Sequence, residues 1–244
     1  MADVRAYATL MPPHTVLSHA TAARLLGIPL PTRLEDDPRV HVTALGGRAP
    51  RGPGVAGHTT TRMPEETTLG MLRVTSPART WADLSALLSL DELVIAGDCL
   101  RGLPSPLATD DDLIDAVHRH AGRRGRAALG TALDLVRPGS RSPRETRARL
   151  AVVRGGLPEP ELNAPIVLRG RTVHGDLVFR PWRVLLEYEG DQHRTDAAQW
   201  AHDLGRYNDL AEDDWLVIRA SRAMSDAEVV ARTRRALRSR GWLP

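Results

Sequence analysis

"LLEYEGDQHRTDAAQWAHDLGR" (residues 185–206) sets Glu187 and Glu189 one residue apart in an otherwise apolar run. The run reads as a buried strand, where a carboxylate is costly unless something neutralises it. Side chains two apart on a strand point to one face. Glu187 and Glu189 therefore share a face, with Leu186 and Tyr188 on the other. Asp176 stands ten intervening residues upstream of Glu187, and the turn "RPW" (180–182) lies between them. A tight hairpin there sets Asp176 beside Glu187 on the neighbouring strand. Carboxylates brought together repel one another unless a cation or protons intervene. The residues leave two readings open: the acids pair with arginines as structure, or they hold a metal ion. Oxygen ligands without a thiolate favour Mg²⁺ or Mn²⁺.

Working outward, the second half reads α-β-β-β-α-β-α. "SPRETRARLAVVRGGL" is a helix with Ser142 as cap, Pro143 in the first turn and Glu145 three residues after the cap. "NAPIVLRG", "RTVHGDLVFR" and "WRVLLEYEG" are strands. "DAAQWAHDLGRYNDLAEDD" is a helix, "DWLVIRAS" a buried strand, and "SDAEVVARTRRALRSRGW" a closing helix capped by Ser225. Upstream, "RPGSRSP" (137–143) breaks the pattern with Pro, Gly and Ser. The expected domains are therefore 1–137 and 138–244, both α/β, the second with a mixed sheet.

The first half reads as a helix at "SHATAARLLGIPLP" (18–31), capped by Ser18, and a strand at "RVHVTAL" (39–45). Short extended pieces follow at 57–62 and 72–76, then helices at 76–88 and 89–102. "TDDDLIDAVHRHAG" begins with Thr109 and three aspartates, a favourable N-terminal arrangement. Ser18 reads as a cap, and His19 and Arg79 as residues that hold the fold. Nothing in this half has catalytic spacing.

With 244 residues, 42% of them hydrophobic but only 4% aromatic, the core must be mostly aliphatic. The formal net charge is +3 and the isoelectric point near 9.7. That balance suits nucleic acid without proving it. All 33 Lys and Arg residues are arginine, so no step can use a lysine ammonium. The single cysteine, Cys99, excludes an intramolecular disulfide and a Cys-rich zinc site. The opening "MADVRAYATLMPPHTV" has no signal-peptide core and no stretch is long enough to span a bilayer, so the expected location is the cytoplasm. G-x-x-x-x-G-K-[ST] and G-x-S-x-G are absent. Arginines cluster at 119–126, 137–149 and 232–240. They suit a phosphate backbone, or form solvated helix faces.

"SPRETRARL", "GDLVF", "LLEYEGDQH", "HDLGRYNDL" and "DWLVIRAS", in that order, resemble the PD-(D/E)XK nuclease superfamily, and more narrowly the family related to very-short-patch-repair (Vsr) endonucleases. The resemblance covers residues 142–243. It implies a restriction-endonuclease-like α-β-β-β-α-β core and a Mg²⁺- or Mn²⁺-dependent DNA endonuclease. It makes Asp176 the first metal-binding acid and Glu187 the acid of the E-x-K step. Glu189 stands where that step has its lysine, as a supporting metal ligand, and Glu145 is the acid on the first helix. His193 matches the histidine that activates water or contacts phosphate. Asp203 and Arg206 match a D-x-x-R pair, with Asp203 in support. Arg194, Arg206, Arg144 and Arg149 are the expected phosphate contacts. The residues alone also allow Glu145 to be a capping acid and Asp203 to pair with Arg206.

"VLSHATAARLLGIPLP", "VHVT", "GHTTTR" and "VTSPARTWADLSALLSLDELVIAGDCLRG" resemble the C-terminal domain of the AbiEi antitoxin and related transcriptional regulators. The chain begins too close to this region to hold the winged helix-turn-helix that often precedes it. This resemblance implies a DNA-binding regulator or a toxin partner, alongside a possible homodimer, and supplies the other functional reading: a non-catalytic regulator on a degenerate nuclease fold.

Overall fold

The computed structural model describes residues 2–120, 124–189 and 197–243. The chain divides into two compact units, Met1–Arg137 and Pro138–Pro244. Both are mixed α/β, the class the alternating patterns predicted.

The first unit opens with α1 (Ala2–Leu10), β1 (Thr15–Leu17), α2 (His19–Leu26) and the short α3 (Thr32–Glu35). Strands β2 (Val40–Leu45), β3 (Val55–Thr60), β4 (Glu66–Leu69) and β5 (Leu72–Thr75) follow, then α4 (Pro77–Leu84), α5 (Leu90–Leu100), α6 (Asp110–Arg119) and α7 (Arg126–Leu135). The sheet order is β3-β2-β1-β5-β4. Its middle strand, β1, is three residues long and wholly buried. A segment that short carries no period, which is why the sequence reading passed over it. α2 stops at Gly27, whose φ of +71° is the left-handed conformation that closes a helix without a Cβ penalty. α5 and α6 begin with reciprocal caps, Ser89 with Glu92 and Thr109 with Asp112. Ser18 makes no side-chain cap bond at α2. That expectation is corrected: its hydroxyl accepts from Thr43 Oγ1 at 2.8 Å instead.

The second unit contains α8 (Pro143–Arg154), β6 (Glu161–Leu168), β7 (Arg171–Phe179), a 3₁₀ turn (Arg180–Trp182), β8 (Val184–Glu189), α9 (Ala197–Glu212), β9 (Leu216–Ser221) and α10 (Asp226–Ser239). The sheet order is β6-β7-β8-β9, antiparallel except for the β8–β9 pair, which is parallel. A parallel pair needs a crossover, and α9 supplies it. Leu177, Phe179, Val184, Leu186 and Ile218 face Ala148 and Val152 of α8 and Val229 and Leu237 of α10. On the other face Ala164, Ile166, Val178 and Leu185 pack against Leu210 of α9. Helices thus cover both faces of the sheet. Each buried Leu or Phe contributes roughly 1.5–3 kcal/mol to this arrangement.

Candidate functional site

Two strands turn over together at the point where the acids stand. Leu162 pairs with Leu177 across β6 and β7, and both pack in the core beneath α8 and α10. Two residues on, Ala164 pairs with Gly175, but Ala164 lies in the core beneath α9. A Cβ on Gly175 would meet Leu185 Cδ1 at 2.4 Å, in that same core. Residues two apart ordinarily share a face, so both strands switch face at Asn163 and Asp176. Asn163 takes a φ of +44°, a left-handed conformation that asparagine tolerates. Its Nδ2 donates to Gly139 O and to Glu145 Oε2, each at 2.8 Å. The β7–β8 ladder runs only to the Leu177–Leu186 pair. Beyond it the Asp176 carboxylate takes over, accepting the Tyr188 N–H at 2.8 Å. Asp176 therefore lies in the seam between strands, not squarely on a face.

Glu187 is 5% exposed and is held from α9. Arg206 donates from both terminal nitrogens, Nη1 to Oε2 at 2.8 Å and Nη2 to Oε1, and Tyr207 donates its hydroxyl to Oε2 at 3.0 Å. Burial works against the Arg206 charge, but the hydrogen bonds and charge of Glu187 outweigh it and raise the guanidinium pKa. Burial and then Glu187 push the Tyr207 hydroxyl well above its ordinary range. Glu189 pairs with Arg219 of β9, whose guanidinium carbon lies 4.7 Å from the Tyr207 ring centroid. Asp176 differs. Among the described residues it has no ion-pair partner, and burial, reinforced by Glu145 and Glu187, pushes its carboxyl up to about 6.

The expected site residues come together only in part. Asp176 and Glu187 are neighbours, with Glu145 within electrostatic reach of Asp176. Glu145 is nevertheless 7% exposed and acts as a cap, accepting from Arg141 N at 2.9 Å, Ser142 Oγ at 2.9 Å and Asn163 Nδ2. Arg149, expected to touch phosphate, is corrected: it is 1% exposed and bonds Glu159 Oε1 at 3.1 Å. A guanidinium enclosed by its own helix and core cannot reach a nucleic acid. Arg206 is likewise committed to Glu187 and to the His174 carbonyl. Arg144 stays exposed, 5.3 Å from the Tyr188 ring centroid. His193 and Arg194 lie outside the described residues, as does the Asp203 side chain.

For a divalent cation the donor set fits at two positions. Asp176 and Glu187 are hard oxygen donors within electrostatic reach of one another, and the partly buried Asp176 carboxyl has no ion-pair partner among the described residues. Glu189 does not join them, because Arg219 holds it. Among the described residues no three His, Cys, Asp or Glu side chains gather as a metal cluster.

A second polar cluster, missed by the sequence reading, lies in the first unit. His19, His41 and His58 stack, with ring centroids 3.5 Å apart for His19 and His58 and 5.3 Å for His41 and His58. Asp37 Oδ2 lies 3.2 Å from His41 Nε2, and His41 Nδ1 lies 3.1 Å from His58 Nε2. The parallel pairing of β2 with β3 brings His41 and His58 together. His19 joins them at a φ of +48°. No local spacing announces such a set, since each histidine belongs to a different element.

The class these observations define is a two-unit mixed α/β protein. Its second unit carries an acid–arginine cluster at an opened strand pair. Within that class the chain is similar to an uncharacterised protein of Mycobacterium tuberculosis, present in two strains. The two are 27% identical over 213 residues, covering 84% of this chain and 73% of that protein. No family profile matches the chain, and no solved structure matches it. Among the described residues no helix is long and apolar enough to cross a membrane.

Proposed function

We propose that the second unit is a metal-dependent DNA endonuclease of the Vsr-like PD-(D/E)XK kind, hydrolysing phosphodiester bonds. The observation that carries this reading is Asp176 at the point where the β7–β8 ladder opens, with Glu187 within electrostatic reach. Two carboxylates at that point, one with no ion-pair partner among the described residues, suit Mg²⁺ or Mn²⁺. When bound, such an ion supplies an acidified water and charge stabilisation at phosphate. The chain's own part is positional. The seam between β7 and β8 fixes Asp176, Tyr207 orients Glu187, and exposed Arg144 offers a guanidinium to the DNA backbone. The element order and the five sequence motifs support the same reading, and it places the protein in the cytoplasm with DNA as its partner. The test is cleavage of supercoiled plasmid with Mg²⁺ or Mn²⁺, comparing wild type with Asp176→Asn and Glu187→Gln. Metal-dependent nicking that disappears in both variants supports a nuclease; nicking that survives either one removes the assignment.

One observation favours a second reading, a DNA-binding regulator related to AbiEi-type antitoxins without turnover. Arg206 already supplies Glu187 with the positive charge a metal would bring, and Arg219 does so for Glu189. On this reading wild type retards DNA in a salt-dependent way, with no cleavage in any metal.

A further inference from the structure

Two of the stacked histidines, His19 and His58, border a cavity of about 490 Å³ in the first unit. Four arginines line it, Arg62, Arg79, Arg119 and Arg124, against one carboxylate, Asp83. Two of the four are engaged: Arg79 Nε donates to Asp83 Oδ1 at 2.9 Å, and Arg119 Nη1 to Glu65 Oε1 at 2.8 Å. The side chains of Arg62 and Arg124 are exposed and have no hydrogen-bond or ion-pair partner among the described residues. Among the described residues the cavity therefore presents two uncommitted cations.

Its wall also holds two buried acceptors without a donor. Asp83 is 6% exposed, and its Oδ2, enclosed from solvent, makes no hydrogen bond. His120 Nε2 is equally enclosed and unpartnered. The other ring nitrogen of His120 bonds the backbone of Arg124, a bond that favours the protonated ring and so places the neutral ring's proton there. Nε2 is left as an acceptor. The relay from Asp37 fixes the tautomers of His41 and His58. His41 donates from Nε2 to Asp37, so its Nδ1 accepts from His58 Nε2, leaving His58 Nδ1 as a further acceptor. Burial first, then neighbouring positive charge, keeps His19 and His58 neutral near pH 7. Buried acceptors left unsatisfied are costly, and here they collect in a concave wall beside free guanidinium groups.

We propose that this cavity binds a small phosphate ester of nucleoside-monophosphate size, its phosphate held by Arg62 and Arg124 and its hydroxyl or amine donors by Asp83 Oδ2 and His120 Nε2. Phosphate suits the two arginines because it offers several oxygens to planar guanidinium forks. The donor-bearing end belongs at Asp83, where a phosphate would be repelled. Duplex DNA does not satisfy the same wall, since its sugar–phosphate backbone carries no hydrogen-bond donor. This site lies wholly in the first unit, and its test is independent of the nuclease assignment.

The experiment is isothermal titration of the full chain with AMP, GMP, CMP, UMP, ribose 5-phosphate, adenosine and a short DNA duplex. The expected result is saturable binding of at least one phosphate ester with a Kd below about 1 mM. Arg62→Ala and Arg124→Ala should each weaken it at least tenfold, and the unphosphorylated nucleoside should bind at least tenfold more weakly. Both arginines are exposed, so their alanine variants keep the fold, which circular dichroism confirms. Asp83→Asn, which turns the acceptor into a donor, should also weaken binding while changing preference among the four bases. Absence of binding by every phosphate ester overturns the proposal. So does affinity indifferent to both arginine variants, or binding of the duplex alone.

Discussion

Arg206 of α9 grips Glu187 of β8 with both terminal nitrogens, closing a bidentate pair whose glutamate end is buried and whose arginine end is partly buried. Removing one member of such a pair strands a buried charge, at a cost of about 3–5 kcal/mol. Arg206→Ala should therefore lower the urea midpoint sharply. Adding Glu187→Gln should recover part of the loss, because no carboxylate is then left unpaired. If the proposed cation uses Glu187, Arg206→Ala should also tighten Mn²⁺ binding, since arginine and metal compete for the same oxygens. Unchanged Mn²⁺ affinity would count against a metal at this carboxylate.

Asn163 combines a left-handed backbone with two buried donor bonds. Asn163→Ala loses both bonds and adds strain of about 1–2 kcal/mol at that φ. Asn163→Gly loses the bonds without the strain, and should be the more stable variant by about 1 kcal/mol. Equal stabilities in guanidinium denaturation would show that the turned-over strand pair relaxes freely.

Gly175 lets Leu185 approach the strand next to Asp176. Its substitution by alanine meets Leu185 Cδ1 at 2.4 Å and Val178 Cγ2 at 2.9 Å. Overpacking of this kind costs about 1–3 kcal/mol. Leu185→Val, which removes the nearer methyl, should rescue part of the lost stability when combined with Gly175→Ala, as a thermal scan of single and double variants will report.

His58 is held down to about 4 by burial first, then by His41 and Arg39, against 6.5 for a free histidine. The unfolded chain therefore binds a proton between those values that the folded chain refuses. The stabilisation is complete above pH 6.5 and is lost as pH falls toward 4. His19 and His41 are lowered in the same sense, while Asp83, raised to about 6, acts in the opposite one. Hydrogen exchange in β2 and β3 should accelerate between pH 7 and 4.5, after correction for intrinsic rates. His58→Gln should flatten that profile, and an unchanged profile would mean the imidazoles titrate in water.

The elements of the second unit were legible because each carries its own period and its own stop. Ser142 with Pro143 starts α8, Gly170 turns β6 into β7, and "RPW" turns β7 into β8. The acids at 187 and 189 were conspicuous because apolar strands seldom carry charge. The seam at Asp176 was not legible. Alternation along "RTVHGDLVF" assumes one continuous pleat, and the switch of face arises from two strands turning over together at Asn163 and Asp176. Arg149 looked like part of a basic surface because its exposure depends on what packs over it.

The sequence by itself determined the mixed α/β class, the capped helices and the candidate acids, since these depend on local period, capping chemistry and charge within a few residues. Only the tertiary structure decided which arginine neutralises which glutamate, which acid has no ion-pair partner among the described residues, and that three histidines from separate elements stack, two of them lining a cavity. Those are contacts between residues distant in the chain, and their energies depend on burial and strand register that no local stretch specifies.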